Sequence, residues 1–237
     1  MTFYNPNKAP IFERLLAASV FHISKFTRIS ERIKYAGEVA DFSNFLNIHF
    51  GKVVFRLKRE NIWQDIEKIL QKDVTFIELG VASGYLTGWW LSPLRKSLTE
   101  RKYGYHGFDS FKGLPHKWRN FEAGTFSTYG VAPSIENQCL VFHAGLVEET
   151  LNATLMNKIS TTNQKVIFFD LDLFEPSLHA YSIIKSYLKA GDVLYFDEAR
   201  DADERRLLQE YIMKDFTLVL ISASYSNVAF SIVRATS

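Results

Sequence analysis

Short apolar runs alternate with stretches of helical periodicity from residue 73 onward. Each run is rich in β-branched or aromatic residues, which favour buried strands. The five runs are residues 74–79, 103–108, 139–144, 165–170 and 192–197. Between the last two lies "EPSLHAYSIIKSYLKAG", where Pro176 suits a helix start and Gly191 a helix end. Strands that alternate with helices predict a parallel sheet with crossover helices.

The end of the chain follows a different pattern. Two apolar runs, "FTLVLISAS" and "NVAFSIVRA", meet at a short polar turn around residues 225–227. A turn this short joins antiparallel strands, because parallel strands need a much longer crossover. The sequence therefore predicts an α/β fold in which five parallel strands are followed by a terminal antiparallel hairpin.

Residues 1–72 show helical spacing and no strand pattern. Pro10 suits the first turn of one helix, and residues 60–70 carry a second apolar stripe. Such a stripe with basic flanks can lie on a membrane, although packing against the main domain or another subunit is the more common use. We therefore expect an N-terminal helical segment, 1–72, that acts as a lid or as a dimer element, and a main domain, 73–237. A homodimer is compatible with this division.

Composition narrows the class of protein. The 237 residues are 47% hydrophobic and carry a formal net charge of +2 with mixed signs, so no basic face predicts nucleic-acid binding. Cys139 is the single cysteine, which excludes an internal disulfide and a cysteine-based zinc site. No run approaches the roughly 18 apolar residues of a membrane span, and the N-terminus lacks a signal-peptide pattern. We expect a cytoplasmic protein.

The first chemical motif, "FIELGVASGYLTG", follows the first predicted strand. Gly80 and Gly84 allow a tight turn and a close backbone approach to a ligand, and a helix begins just beyond them. Ala82 stands where a dinucleotide fingerprint has its middle glycine. Glu78 would repel a pyrophosphate but can accept a hydrogen bond from an amino group. A tight strand-to-helix turn without a ligand explains this motif equally well.

The second motif, "YHGFDSFKGLPHKW", places Asp109 at the end of the second strand. In sheet folds that bind nucleosides, an acid at this point accepts hydrogen bonds from ribose hydroxyls. The alternative is that Asp109 holds the turn before Gly113 and Pro115. A glycine-rich first turn together with an acid after the second strand favours a nucleoside ligand.

Taken in order, "FIELGVASG", "GFDSFKGLP", "FHAGLVEETL" and "FFDLDLFEP…DVLYFDE" resemble the macrocin O-methyltransferase-like (TylF-like) family of class I S-adenosylmethionine-dependent methyltransferases. The resemblance covers about residues 73–235. It implies a Rossmann-like, seven-stranded, mostly parallel sheet with a terminal antiparallel strand, which binds S-adenosylmethionine. The implied cofactor contacts are Glu78, Gly80, Ser83 and Gly84 for the methionine portion, Asp109 and Ser110 for the ribose, and Ala144 and Gly145 for the adenine.

Two acidic clusters follow neighbouring apolar runs, Asp170 with Asp172 and Asp197 with Glu198. The carboxyl ends of parallel strands share one edge of a sheet, so we expect these four side chains to converge there. Carboxylates so close repel one another unless a cation or a proton intervenes. Oxygen ligands without cysteine favour Mg²⁺, with Ca²⁺ or Mn²⁺ as alternatives.

The resemblance implies separate roles for these acids. Asp170, Asp197 and Glu198 correspond to metal ligands, with Glu198 in place of the more usual aspartate, and Asp172 corresponds to a general base. The acidic residues can also be explained without a metal ion. Asp172 can cap the helix that follows it, and the 197–198 pair can face the helix predicted over 201–213.

The sequence therefore predicts a metal-assisted O-methyltransferase that acts on a hydroxyl of a small molecule, such as a sugar or a glycosylated natural product. Its alternatives are a metal-independent methyltransferase, a hydroxylase-like enzyme of the same fold, and a non-catalytic nucleoside-binding protein. His116 is a second candidate for the base. We expect the long loop over residues 116–134 to contribute to acceptor specificity and to act as a flap over the substrate.

Overall fold

The computed structural model describes residues 19–20, 27–93, 98, 100–160 and 164–236. Its strands are β1 (Asp73–Leu79), β2 (Lys102–Asp109), β3 (Leu140–Ala144), β4 (Gln164–Phe169), β5 (Val193–Phe196), β6 (Phe216–Ala223) and β7 (Val228–Ala235). The helices are α1 (Thr27–Phe50), α2 (Arg59–Glu67), α3 (Tyr85–Leu91), α4 (Val147–Thr150), α5 (Ala153–Ile159), α6 (Phe174–Ile184), α7 (Ala202–Leu207) and α8 (Met213–Asp215). A 3₁₀ turn (Lys185–Tyr187) and a π-helical turn (Leu208–Ile212) complete the helical elements of these ranges.

The seven strands form one sheet in the order β3-β2-β1-β4-β5-β7-β6. Strands β1 to β5 are parallel, and β7 is antiparallel to both β5 and β6. The predicted α/β class, the parallel strands and the terminal hairpin are confirmed. The helix predicted to begin near Pro10 lies outside the described residues.

The central strands are apolar throughout because both of their faces are covered. All six residues of β4 are buried, and the side chains alternate between two hydrophobic layers. Ile167 and Phe169 belong to one layer, whereas Val166 and Phe168 belong to the other. This two-sided burial explains why the central strands appear as short continuous apolar runs in the sequence.

The N-terminal helices cover opposite faces of the sheet. Helix α1 buries Phe42 and Leu46 in the layer that contains Phe169. Helix α2 buries Ile62 and Trp63 in the other layer. Of the uses expected for the apolar stripe over residues 60–70, packing against the main domain is the one observed. No helix within the described ranges has the length and apolarity to cross a bilayer. The boundary at residue 72 and a lid or dimer role stay predictions.

From β1, strands β2 and β3 are added in sequence towards one edge of the sheet. The chain then returns to place β4 on the other side of β1. Strands β1 and β4 therefore flank the point where the strand order reverses, which is where open α/β sheets bind ligands. Gly80 lies at this point with a φ of +90°, and a Cβ there would come within 1.8 Å of the Asp170 carbonyl oxygen. Only glycine fits this close approach of two backbones.

Candidate active site

A cavity of about 720 Å³ opens at the carboxyl ends of β1, β2, β4 and β5, a size typical of small-molecule sites. Nearly all of the predicted site residues line it. These are Glu78, Gly80, Ser83, Asp109, Ser110, Gly145, Asp170, Asp172, Asp197 and Glu198. Gly84 instead precedes α3 as its left-handed N-cap, with a φ of +78°.

Glu78 is a buried carboxyl group on the β1 side of the cavity. Its Oε2 accepts hydrogen bonds from the hydroxyl groups of Thr87, at 2.5 Å, and Tyr105, at 2.7 Å. Removal from water raises the pKa of Glu78 to about 8, although both hydroxyl donors oppose that shift. A cationic amino group placed beside Glu78 would favour its ionised form.

Asp109 fastens the glycine-rich loop to the end of β2. Its Oδ2 accepts from the backbone N–H groups of Val81, at 2.8 Å, and Ala82, at 2.7 Å, while Oδ1 accepts from Phe111 N–H at 2.6 Å. The turn-holding alternative for Asp109 is thus observed, and it extends to the neighbouring loop as well. Because Asp109 also lines the cavity, a contact with a ribose stays a prediction.

The two acidic clusters meet as the sequence predicts. Burial, and then the charges of Asp197 and Asp172, raise the pKa of Asp170 well above its usual range. Burial, and then the charges of Glu198 and Asp197, raise the pKa of Asp172 to about 7. The same crevice therefore holds carboxyl groups from the ends of β4 and β5 that repel one another.

Arg59, the first residue of α2, reaches this crevice and was not predicted. Its Nη1 lies 3.2 Å from Oδ2 and 3.4 Å from Oδ1 of Asp197. The guanidinium carbon lies 5.4 Å from the ring centre of Trp63 and 5.0 Å from that of Tyr85. In the sequence, Arg59 is one of several basic residues in a polar stretch, and no local signal links it to Asp197.

Glu204 is a second residue that sequence reasoning missed. It lies in α7, is fully buried, and accepts a hydrogen bond through Oε2 from the backbone N–H of Glu198 at 2.9 Å. Burial holds the pKa of Glu204 well above its usual range. This residue adds a buried carboxyl group behind the crevice, where the sequence predicts only an ordinary helix position.

Glu198 faces a different set of partners from Asp197. Its Oε2 accepts from the Ser226 hydroxyl at 2.8 Å and lies 3.7 Å from Nη2 of Arg200. Arg200 in turn binds Glu38 of α1, with an Nη1–Oε2 distance of 3.0 Å. Glu198 is therefore tied to the β6–β7 turn and, through Arg200, to the N-terminal helix.

Comparisons with known proteins bear on this geometry. No protein-family model and no curated protein matches the chain. The solved structure of CalS11, a calicheamicin methyltransferase, is 18% identical and aligns over 95% of this chain and 88% of that chain, with a TM-score of 0.53. The O-methyltransferase NovP is 17% identical over 74% of this chain and 79% of that chain, with a TM-score of 0.52.

The chain has a methyltransferase fold. At these sequence identities the likeness is one of fold, and it confirms the architecture that the class I methyltransferase resemblance implied. Membership of the macrocin O-methyltransferase-like family stays a prediction.

The three predicted metal ligands are not brought together around one point. Among the residues that the structure describes, no three carboxylate, imidazole or thiol groups are arranged to hold a metal ion. The Asp197 oxygens accept from Tyr195 OH at 2.6 Å, from Asn227 Nδ2 at 3.0 Å and from Arg59. Glu198 is directed to Ser226 instead. This donor set does not fit a divalent ion as it stands.

The loop after β2 forms a wall of the cavity beside the acidic crevice. Trp118 and Leu114 pack against Leu173, and Arg119 forms an ion pair with Asp201. Phe121 and Phe126 line the cavity, and each remains about half exposed. His116, the second candidate base, also lines the cavity. The loop predicted to contribute to acceptor specificity is therefore part of the site, while its motion as a flap stays a prediction.

Proposed function

We propose that this protein is an S-adenosylmethionine-dependent O-methyltransferase that acts on a hydroxyl group of a small molecule. One observation carries the proposal: the Glu78–Gly80 turn and the Asp170–Asp172 crevice open into the same cavity. The first supplies a site for the charged methionine end of the cofactor, and the second supplies a carboxylate for the acceptor. The methyltransferase fold supports this assignment.

Residues on the β1 and β2 side fit the cofactor. Glu78 would accept hydrogen bonds from the methionine ammonium group, and Gly80 and Ser83 would lie beside the adjacent chain. Gly84 would contribute as the N-cap of α3, which ends the cofactor loop. Asp109 and Ser110 would bind the ribose, and Gly145 would lie beside the adenine. When bound, S-adenosylmethionine supplies an electrophilic methyl group.

Asp172 is the proposed general base. Its pKa of about 7 leaves a substantial ionised fraction at neutral pH and makes Asp172 a stronger base than an ordinary carboxylate. Its backbone adopts a φ of +63°, a conformation that aspartate tolerates better than most residues. Proton transfer to Asp172 would leave the acceptor oxygen free to attack the methyl group.

The proposed acceptor is ring-bearing, such as a sugar or a glycosylated natural product. Phe121, Phe126 and Trp118 line the cavity and offer apolar surfaces to a ring. CalS11 is described as a calicheamicin methyltransferase, and NovP as an O-methyltransferase. These descriptions support an acceptor of the natural-product class.

The family resemblance implies a divalent ion at this site, Mg²⁺ by preference. Asp170, Asp197 and Glu198 would bind it. Asp197 and Glu198 would first have to exchange their present hydrogen bonds to Arg59 and Ser226. None of the steps proposed for Asp172 depends on that ion.

Isothermal titration with S-adenosylmethionine, followed by a methyl-transfer screen over sugar and phenol acceptors, tests the function. We expect cofactor binding and transfer to at least one hydroxyl group, which Asp172→Asn abolishes. Failure to bind the cofactor would overturn the proposal. Binding without transfer to any acceptor would favour the non-catalytic nucleoside-binding alternative, and oxidation of an acceptor would favour the hydroxylase-like one.

A further inference from the structure

We propose that Arg59, rather than a divalent metal ion, supplies the fixed positive charge of the acidic crevice. The inference rests on the proposed function for its catalytic consequence, because a deprotonated acceptor hydroxyl needs a nearby cation. The placement of Arg59 against Asp197 stands independently of that function.

Charge balance is the first argument. Asp170, Asp172 and Asp197 share one crevice, and Arg59 is the cation that binds Asp197 directly. Of the other two arginines that line the cavity, Arg119 forms an ion pair with Asp201, and Arg200 forms ion pairs with Glu38 and, at 3.7 Å, with Glu198. Arg59 thus has the position in which the family resemblance expects a metal ion.

The second argument is that Arg59 is held in place. It begins α2, whose side chains Ile62, Trp63 and Ile66 are fully buried. Its guanidinium lies against the rings of Trp63 and Tyr85, and the Tyr85 hydroxyl donates to Glu60 at 2.7 Å. A planar cation that lies against two aromatic rings is held in position without the oxygen ligands that a metal ion needs.

The third argument concerns the hydrogen-bonding capacity of the acids. Asp197 already accepts from Tyr195, Asn227 and Arg59, and Glu198 is directed to Ser226. Mg²⁺ requires near-octahedral oxygen ligands at about 2.0–2.1 Å. A guanidinium instead uses directional N–H donors, which is the arrangement found around Asp197.

Arg59 also retains donors for a ligand. Its Nη1 binds Asp197, while Nε and Nη2 donate to none of the residues that the structure describes. The side chain is 37% exposed and lines the cavity. We therefore assign Arg59 two tasks: it holds Asp197 in position, and it offers N–H groups to the acceptor oxygen as negative charge develops there.

Titration of the full-length chain with Mg²⁺ tests the inference without any need for activity. We expect no saturable binding to the wild type and measurable binding to Arg59→Met, because the variant leaves Asp170 and Asp197 without their cation. Stoichiometric, saturable binding of Mg²⁺ to the wild type that Asp170→Asn abolishes would overturn the inference. The outcome of this Mg²⁺ titration does not depend on whether any acceptor is methylated.

Activity provides the second test once an acceptor is found. We expect a chelator to change the wild-type rate by less than about twofold, and Arg59→Met to lower kcat by roughly 100-fold, as for loss of one transition-state donor. Arg59→Lys should retain part of that rate, and free guanidinium should restore part of it to Arg59→Met. A wild-type rate that collapses with chelator and returns with Mg²⁺ would contradict the inference.

Arg56→Met is the matched control. Arg56 precedes α2 and binds Asp65 through Nε–Oδ2 and Nη2–Oδ1 contacts of 2.6 and 3.0 Å, outside the cavity. Arg56→Met therefore removes a guanidinium from the same segment and leaves the residues of the acidic crevice unchanged. Equal loss of rate in Arg56→Met and Arg59→Met would mean that both act by anchoring α2, and would also overturn the proposed role.

Discussion

The Asp109 carboxylate accepts a 2.7 Å hydrogen bond from the backbone N–H of Ala82, which links the end of β2 to the loop after β1. Asp109 therefore holds the loop after β1 in addition to any contact with a ligand. Asp109→Ala would leave three backbone N–H groups without their acceptor, at a cost of about 2–3 kcal/mol in the free energy of unfolding. Urea denaturation measures this cost.

Cofactor affinity should fall together with stability in Asp109→Ala, because the loop proposed to bind the cofactor loses its anchor. Asn152→Ala is the control, since it also removes a side-chain acceptor of a backbone N–H, that of Leu155 at 3.0 Å, but lies outside the cavity lining. Weaker cofactor binding at unchanged stability would contradict the anchoring role and leave Asp109 as a ligand contact alone.

Gly80→Ala should be among the most destabilising substitutions in the chain. The new Cβ would meet the Asp170 carbonyl oxygen at 1.8 Å in a backbone with a φ of +90°. We expect a loss of at least about 3 kcal/mol in the free energy of unfolding, since neither backbone can move without breaking sheet contacts.

Gly37→Ala is the matched control for that substitution. Gly37 lies in α1, and a Cβ there would meet nothing within 4 Å. A gain of about 0.5–1 kcal/mol is expected from the better helix propensity of alanine. Similar effects of both substitutions on thermal denaturation would contradict the close approach of Gly80 to Asp170.

Glu78 should make the ligand-free protein less stable as pH rises. Its pKa is about 8 in the folded state against 4.5 as its ordinary value, so the folded state holds the proton more tightly. The contribution is therefore fully present below pH 4.5 and is lost as pH rises to about 8. It amounts to roughly 5 kcal/mol over that window.

Glu78→Gln tests this relationship. The neutral amide should raise the free energy of unfolding at pH 8–9 relative to the wild type and flatten this part of the pH dependence. The same substitution should weaken S-adenosylmethionine binding, because the amide no longer balances the ammonium charge. An unaltered pH dependence of stability would contradict the raised pKa of Glu78.

Asp172→Asn should lower kcat by about 100-fold or more while cofactor affinity changes less than about twofold, since it removes a general base but no cofactor contact. In the wild type, the rate should rise with pH through about 7 as Asp172 loses its proton. Steady-state rates against pH, with isothermal titration of the cofactor, provide the measurement.

Asp41→Asn is the control for Asp172→Asn. Asp41 is exposed on α1 and binds Arg205 at 2.6 Å, away from the cavity. Its replacement should leave both rate and affinity unchanged. A rate for Asp172→Asn within threefold of the wild type would transfer the role of base to another group, with His116 as the next candidate.

Local sequence patterns determined most of the architecture. The apolar runs at β1, β4 and β5 indicate strands covered on both faces, and the final pair of runs indicates a hairpin. Parallel strands must also bring their carboxyl ends to one edge, so the meeting of Asp170 with Asp197 follows from their positions after β4 and β5. These features depend on residues close in sequence or on the direction of neighbouring strands.

Tertiary structure alone decided which charges face one another. Arg59 and Asp197 are 138 positions apart, and their contact exists because α2 packs its Trp63 face against the sheet beside β5. Glu198 accepts a hydrogen bond from Ser226 in the β6–β7 turn. Glu204 of α7 is buried behind Glu198. Such contacts depend on the packing of whole elements, which hydrophobic periodicity and motif spacing do not encode.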